Sequence, residues 1–210
     1  MYRSIFGGIC ALVFSISVQA VPIYQAASVT ATTADFGGAF ALVNMINQSG
    51  LSAGYTSGVT DFATVAGGTT HNGAGALNSG FSVGPFGQFS FDLGLVRSIN
   101  GLAFWETQNS GSVLRFNLYA DNDQNFANGV GSLLGSFTAT ASGAAISSAQ
   151  VFGFGAVSTR FLQLDIITTA GGSQPGIGEI AFRGAVPEPM SLALLSIGLA
   201  GLGFSRRKQA

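Results

Sequence analysis

The feature that most constrains this chain is a period of two. In residues 88–93, Phe89, Phe91 and Leu93 fall on one side and Gln88, Ser90 and Asp92 on the other. Leu114, Phe116 and Leu118 alternate with Arg115, Asn117 and Tyr119, and Leu162, Leu164 and Ile166 alternate with Phe161, Gln163 and Asp165. Such alternation gives a strand one apolar and one solvated face, whereas a helix needs apolar residues three and four apart. Helical spacing is hard to find between residues 25 and 185. Further strands are expected over Ile99 to Trp105, Leu133 to Ala139, Val151 to Val157 and Ile177 to Arg183, bounded by Gly, Asn or Ser. About eight strands, each with one face to bury, make an all-β sandwich. Residues 34–84 are less regular, and there we expect one or two strands, long loops and a helical turn near Leu42 to Ile46. Loops of that length in a compact domain tend to carry function.

Such a sandwich has to be held by apolar burial alone. Cys10 is the only cysteine and lies near the N-terminus, so no disulfide can help, while 47% hydrophobic residues and 18 Phe supply the core. Between residues 21 and 185 there is no lysine. Arg97, Arg115, Arg160 and Arg183 face Asp35, Asp61, Asp92, Glu106, Asp121, Asp123, Asp165 and Glu179, a formal balance of −4. A chain of this kind cannot neutralise a phosphate backbone, which excludes nucleic acid as a partner.

Both ends read as addresses. Residues 1–20 combine an early cation, Arg3, an apolar run from Ile5 to Val18, and Val18-Gln19-Ala20. That is the layout of a signal peptide, cut by signal peptidase after Ala20. At the other end stand Pro187-Glu188-Pro189, a nearly unbroken apolar stretch from Met190 to Phe204, and Arg206-Arg207-Lys208. The prolines stop the preceding fold, the apolar stretch can form a transmembrane helix, and the cations stop transfer by the positive-inside rule. This tail resembles the PEP-CTERM sorting signal. The resemblance implies transient residence in the inner membrane of a Gram-negative bacterium, then processing by an exosortase at the Pro-Glu-Pro motif. Three segments follow: a signal peptide at 1–20, a β-sandwich domain at 21–185, and a sorting signal at 186–210.

The middle segment carries a second resemblance. Phe89-Ser90-Phe91-Asp92-Leu93-Gly94, Ile99 to Trp105, Phe116-Asn117-Leu118-Tyr119 before Asp121-Asn122-Asp123, Ser158 to Leu164, and Gly178-Glu179-Ile180-Ala181-Phe182-Arg183-Gly184 look like successive strands of the discoidin, or coagulation-factor type C, domain. Their order and spacing match from residue 86 to 184, and Asn44-Met45-Ile46-Asn47 resembles the family's early loop. The resemblance implies a jelly-roll sandwich of the galactose-binding-like superfold. From related sugar-binding modules it also implies a structural calcium held by the early loop and the closing strand, here Asn47 and Glu179. The family's usual cysteine pair is absent.

Few residues can carry chemistry. Gly80-Phe81-Ser82-Val83-Gly84 matches the nucleophile-elbow pattern, but His71, the only histidine, precedes it, and the α/β pattern an elbow requires is missing. One histidine without cysteine cannot build a zinc site. Asp121, Asp123 and Asn125 place oxygen donors at alternate positions of a tight loop, as Ca²⁺ requires, in competition with the Asn47 and Glu179 site and with a plain Asx-rich turn. Tyr55, His71 and Trp105 are candidates for contact with a sugar. The expected protein is exported and non-enzymatic, resides at the cell surface or in the extracellular matrix, and binds polysaccharide. A secreted carbohydrate-active hydrolase and a purely structural matrix or adhesion protein are the alternatives.

Overall fold

A computed structural model of the protein describes residues 20–74, 77–84, 87–108, 111–123, 131–141 and 143–185. Eleven strands occur among them: β1 (Ile23–Tyr24), β2 (Ser28–Ala31), β3 (Thr70–Asn72), β4 (Gly80–Phe81), β5 (Gln88–Trp105), β6 (Val113–Asp121), β7 (Ser132–Thr138), β8 (Ile146–Ser148), β9 (Gln150–Thr169), β10 (Gly176–Ile177) and β11 (Glu179–Gly184). One helix, α1 (Phe62–Gly68), and two 3₁₀ turns, Gly38–Phe40 and Leu42–Met45, precede β3 or lie just before it in the chain. The expected apolar segments at 1–20 and 186–210 lie outside the described residues, save Ala20, which is exposed. Among the described residues no helix is long and apolar enough to cross a membrane.

The all-β expectation holds, with fewer breaks than the sequence implies. β5 and β9 are each continuous where two strands were expected. β5 bends at Gly94, whose φ is +78°, and its pairing with β9 breaks between Asp92 and Arg97. The first half of β5 pairs with β2 and with residues 161–165 of β9, and its second half pairs with β11 and residues 150–159 of β9. The main strands form one seven-stranded sheet of order β1-β11-β5-β9-β6-β7 with β2 on β5, and the two halves of β5 and β9 divide it into two layers: β6 and β7 extend the first, and β1 flanks β11 in the second.

The layers meet through phenylalanine. Phe91 of β5 meets Phe182 of β11 edge-on, with centroids 5.8 Å apart. Phe116 of β6 contacts Phe104 at 6.1 Å, Phe152 at 5.4 Å and Phe137 at 5.5 Å. Each such ring contributes roughly 1.5–3 kcal/mol by burial, and an aromatic pair about 0.5–1.5 kcal/mol more. Phe89, Phe91, Leu162, Leu164 and Ile166 point inward as their alternation requires. Leu114 is only half-buried, because the β6–β9 register shifts between Val113 and Phe116.

The second layer is buried on both faces. Leu102, Phe104, Ile180 and Phe182 enter the sandwich core, while Ala103, Trp105 and Ala181 pack outward against Ile23, Tyr55, Phe62 and Val65. This explains the unbroken apolar run ending at Trp105, which a half-exposed strand would not tolerate. α1, absent from the sequence expectation, covers part of that outer face. Its residues, Phe-Ala-Thr-Val-Ala-Gly-Gly, have poor helix propensity. Its start is fixed instead by Asp61, whose carboxylate accepts from Thr64 N at 2.9 Å.

Candidate functional site

Among the described residues a recess lies at the end of the first layer where β9 stops and β6 begins. It is an open pocket of about 390 Å³ lined by Phe36, Phe40, Phe81, Gly111, Gly172, Ser173 and Gln174. Phe36 and Phe40 stand 5.8 Å apart at 87°, and Phe40 and Phe81 5.7 Å apart at 85°. Phe36 and Phe40 keep 44% and 36% of their surface exposed, while Phe81 is buried.

Backbone hydrogen bonds fix these rings. Asp35 Oδ1 accepts from Gly37 N at 2.9 Å and Leu42 N at 3.0 Å, curling the aromatic loop around its carboxylate. Phe36 N donates to Phe81 O at 3.1 Å and Val83 N to Ala34 O at 2.8 Å, which seats that loop on β4. The buried Asn44 donates to Ala39 O at 3.0 Å and Ser79 O at 3.3 Å. On the far wall, Ser82 N donates to Pro175 O and Gly176 N to Gly111 O. Gly176 is required there, since a Cβ at that position would lie 2.2 Å from the Phe81 ring. The sequence reading did not single out the three phenylalanines. The available signal was an Asp-Phe-Gly-Gly-Ala-Phe stretch with no period, in which neither ring has a core face to occupy.

The residues proposed for sugar contact lie elsewhere, beneath the loops covering the second layer. Trp105 is fully buried, and its Nε1 donates to Thr69 O at 3.3 Å. Tyr55 is 9% exposed, and burial, followed by the Glu179 charge, pushes its phenol up. His71 is fully buried between loops, where its Nε2 donates to the carbonyls of Asn78 at 2.7 Å and Ser49 at 3.1 Å. Burial holds its pKa below the usual histidine value, against the opposing effect of those carbonyls. None of the three presents a ring face to solvent. Ser82 of the elbow-like pattern is buried just after β4, and β5 begins at Gln88, too close for the helix an elbow requires.

Glu179 is fully buried, with Oε2 accepting from Gln48 N at 2.9 Å and Oε1 without a partner. Burial raises its pKa well above the usual carboxylate range. Calcium takes six to eight oxygens, and several oxygens of residues 47–55 accept one hydrogen bond each, which leaves each a second lone pair. Asn47 Oδ1 accepts from Ser49 N at 2.8 Å, Ser49 O from His71, and Tyr55 O from Gln48 Nε2 at 3.1 Å. Asn47 is itself exposed. Without a cation this carboxyl suits a neutral, hydrogen-bonded acid, and its buried, unpartnered Oε1 is also the atom that a structural calcium would take as a ligand. In the other candidate loop, Asp121 Oδ1 accepts from Asn122 N at 2.7 Å and Asp123 N at 3.2 Å, an Asx turn, and Asn125 lies outside the described residues. Among the described residues no group of three or more His, Cys, Asp or Glu side chains converges.

The fold defined by these layers is that of the discoidin-like, family 32 carbohydrate-binding jelly rolls. Similar solved structures include the CBM32-1 and CBM32-2 domains of Clostridium perfringens ZmpB in complex with GalNAc, with TM-score 0.54 and 10% identity over 77% of this chain and 35% of that one. A CBM32 module of CpGH89 from Clostridium perfringens, in complex with GalNAc-β-1,3-galactose, gives 0.52 and 12% over 75% and 94%. The family 32 module of C. perfringens NanJ in complex with galactose gives 0.50 and 15% over 78% and 98%. At these identities the likeness establishes the fold alone. The chain carries a PEP-CTERM protein-sorting motif, whose family model matches residues 185–208. No curated protein matches the sequence.

Proposed function

We propose that this is an exported, non-enzymatic glycan-binding protein of the cell surface or extracellular matrix of a Gram-negative bacterium. Signal peptidase removes residues 1–20, the tail pauses in the inner membrane, and an exosortase acts at Pro187-Glu188-Pro189, with Arg206, Arg207 and Lys208 holding the end in the cytoplasm. The domain then binds extracellular polysaccharide in the pocket of Phe36, Phe40 and Phe81. The observation that carries this reading is the pair of exposed phenylalanine rings held at the loop end of a jelly roll, beside the amide and hydroxyl of Gln174 and Ser173. Aromatic faces with a few polar groups are what a pyranose needs, because its C–H face is apolar and its rim is hydroxylated.

Affinity electrophoresis of the full-length protein through gels containing bacterial polysaccharides tests binding. Retardation by at least one polysaccharide, reduced in Phe36→Ala, is the expected result, and migration of the folded wild type unchanged in every gel refutes sugar binding. Intact mass after expression beside a matching exosortase tests sorting, with a full C-terminus as the refuting result.

A further inference from the structure

A second apolar surface lies at the end of the domain opposite the pocket. β5 bends from one layer to the other at Gly94, and the two residues that follow, Leu95 and Val96, keep 62% and 60% of their surface exposed. Val59 keeps 73%. Backbone hydrogen bonds bring these three to one place. Gly58 N donates to Ile23 O at 2.7 Å and Ile23 N to Thr60 O at 3.0 Å, so the loop carrying Val59 is laced to β1. Next to β1, Gly184 N donates to Pro22 O at 2.8 Å, and Ala185 N donates to Ser98 O at 2.9 Å, two residues after Val96. The Tyr24 ring sits among them, with Arg97 over its face at 4.7 Å and with Gly58 and Gly184 so close that a Cβ on either would lie 3.4 and 3.0 Å from it. Val59 on one side and Leu95 and Val96 on the other thus flank the point where the chain leaves the sandwich. The Phe36 pocket is remote from it. Asp121, at the far end of β6 from the pocket, and Asp92, at the bend, both pair with Phe161, and the nine residues of β6 span about 26 Å.

Clustered aliphatic side chains left in water mark a contact surface. What covers this one follows from the membrane-inserted tail proposed above, on which the inference rests. Only four residues, Val186-Pro187-Glu188-Pro189, separate Ala185 from the apolar stretch that starts at Met190. An extended stretch of that length spans at most about 14 Å, and the headgroup layer on each side of the hydrocarbon core is about 5–8 Å thick. While the tail is inserted, this end of the domain therefore stays within reach of lipid. The charges nearby do not oppose the contact. Arg97 is a cation, Arg160 pairs with Asp92 at 2.8 Å, and the Asp61 carboxylate accepts from Val21 N and Thr64 N. Asp121 and Asp123 lie at the end of β6, with β11, β5 and β9 between that strand and β1 in the sheet. Free in solution, three such side chains would hold a bilayer less well than one myristoyl chain, whose binding is already marginal. A four-residue tether makes the contact intramolecular, at an effective concentration of about millimolar. We infer that Val59, Leu95 and Val96 form a lipid-contacting edge that seats the domain on the inner membrane for as long as its tail is attached. Seated in this way, the domain turns the Phe36 pocket away from the bilayer and keeps Pro187-Glu188-Pro189 at headgroup depth.

The test uses the full-length chain with Cys10→Ala, made in an exporting host without an exosortase and reconstituted in vesicles of phosphatidylethanolamine and phosphatidylglycerol. Val59→Cys or Val96→Cys carries an environment-sensitive fluorophore. Leu77→Cys is the control, since Leu77 is also exposed and its N–H donates to Ala39 O in the loops around the pocket. A lipid bearing a nitroxide at the headgroup boundary is expected to quench the labels at 59 and 96 and to leave the label at 77 bright. A short tether alone also brings labels near lipid, so the label at 59 is measured again in a chain carrying Leu95→Glu and Val96→Glu. Carboxylates are costly to bury in a bilayer, and the quenching at 59 is expected to be lost. The melting curve is expected to stay unchanged, because both glutamates replace exposed side chains. Quenching at 59 and 96 no stronger than at 77, or quenching at 59 that survives the two glutamates, overturns the inference and leaves the membrane-inserted tail intact. Release of the protein from the vesicles by alkaline carbonate overturns the inserted tail, and the inference with it.

Discussion

Replacing Glu179 by glutamine separates two accounts of the buried carboxyl. The side chain is fully buried and receives one hydrogen bond, from Gln48 N to Oε2. Burial raises its pKa in the folded state above the unfolded glutamate value of about 4.3. Above that value the folded protein therefore binds more protons than the unfolded chain, so stability falls as pH rises. It is fully present below about pH 4.3 and is lost as pH climbs through the folded value. Within that window the slope for one proton is about 1.4 kcal/mol per pH unit. For a domain of about 165 residues that is ~3–5 °C of Tm per pH unit.

Glutamine keeps the acceptor for Gln48 N and has no charge to desolvate. Glu179→Gln should match wild type near pH 4 and exceed it progressively toward neutral pH. The measurement is differential scanning calorimetry of both full-length proteins from pH 4 to 8, in EDTA and again in millimolar Ca²⁺. Subtracting one melting profile from the other cancels the contributions of His71, Asp61 and Asp92, whose own pKa values are all lowered by the fold. Glu179→Gln melting below wild type at pH 7, or Ca²⁺ stabilising wild type and not the variant, would refute the reasoning. The carboxylate would then be ionised and neutralised by a cation.

Three further outcomes follow from contacts already described. Phe116→Ala removes the ring that meets Phe104, Phe137 and Phe152, and chemical denaturation should show a loss of about 3–5 kcal/mol. His71→Ala leaves the carbonyls of Ser49 and Asn78 without their donor and should cost about 1–3 kcal/mol. Sugar affinity measured by calorimetry should be unchanged in that variant, because the imidazole does not line the pocket. Gly176→Ala forces a methyl to within 2.2 Å of the Phe81 ring. Overpacking of that kind costs about 1–3 kcal/mol, and displacement of Phe81 should weaken polysaccharide retardation in affinity gels.

What could be read from the sequence follows from which interactions are local. Alternation at Phe89, Phe91 and Leu93, and again at Leu162, Leu164 and Ile166, reports a strand with one wet face, and both sets point into the core. The continuity of β5 and β9 was hidden because Gly94 and its neighbours look like a turn, and only pairing with a distant strand shows that the chain bends there without reversing. Trp105 looked available because it alternates with Phe104, and alternation cannot show that a second layer of loops covers the outer face of its sheet. α1 escaped notice because its stability comes from the Asp61 cap and from burying Phe62 and Val65, not from propensity.

The aromatic pocket is the hardest case, since its members are separated by up to 138 positions, from Phe36 to Gln174, and none has a periodic signature. Exposing two phenylalanines is unfavourable for the free domain, so their placement needs a physical account. The rings pack edge-on against one another at 5.8 and 5.7 Å, yet Phe36 and Phe40 stay partly exposed. Here Asp35 and Asn44 spend their hydrogen bonds on holding the loop, and the β4–β10 pairing, with Gly176 opposite Phe81, closes the opposite wall. Rings fixed in this way before a ligand arrives lose little further freedom on binding, which lowers the ordering cost that otherwise makes shallow, uncharged sites weak. On the proposed function, that preorganisation is what would let a pocket with no charged residue among its described lining hold a sugar.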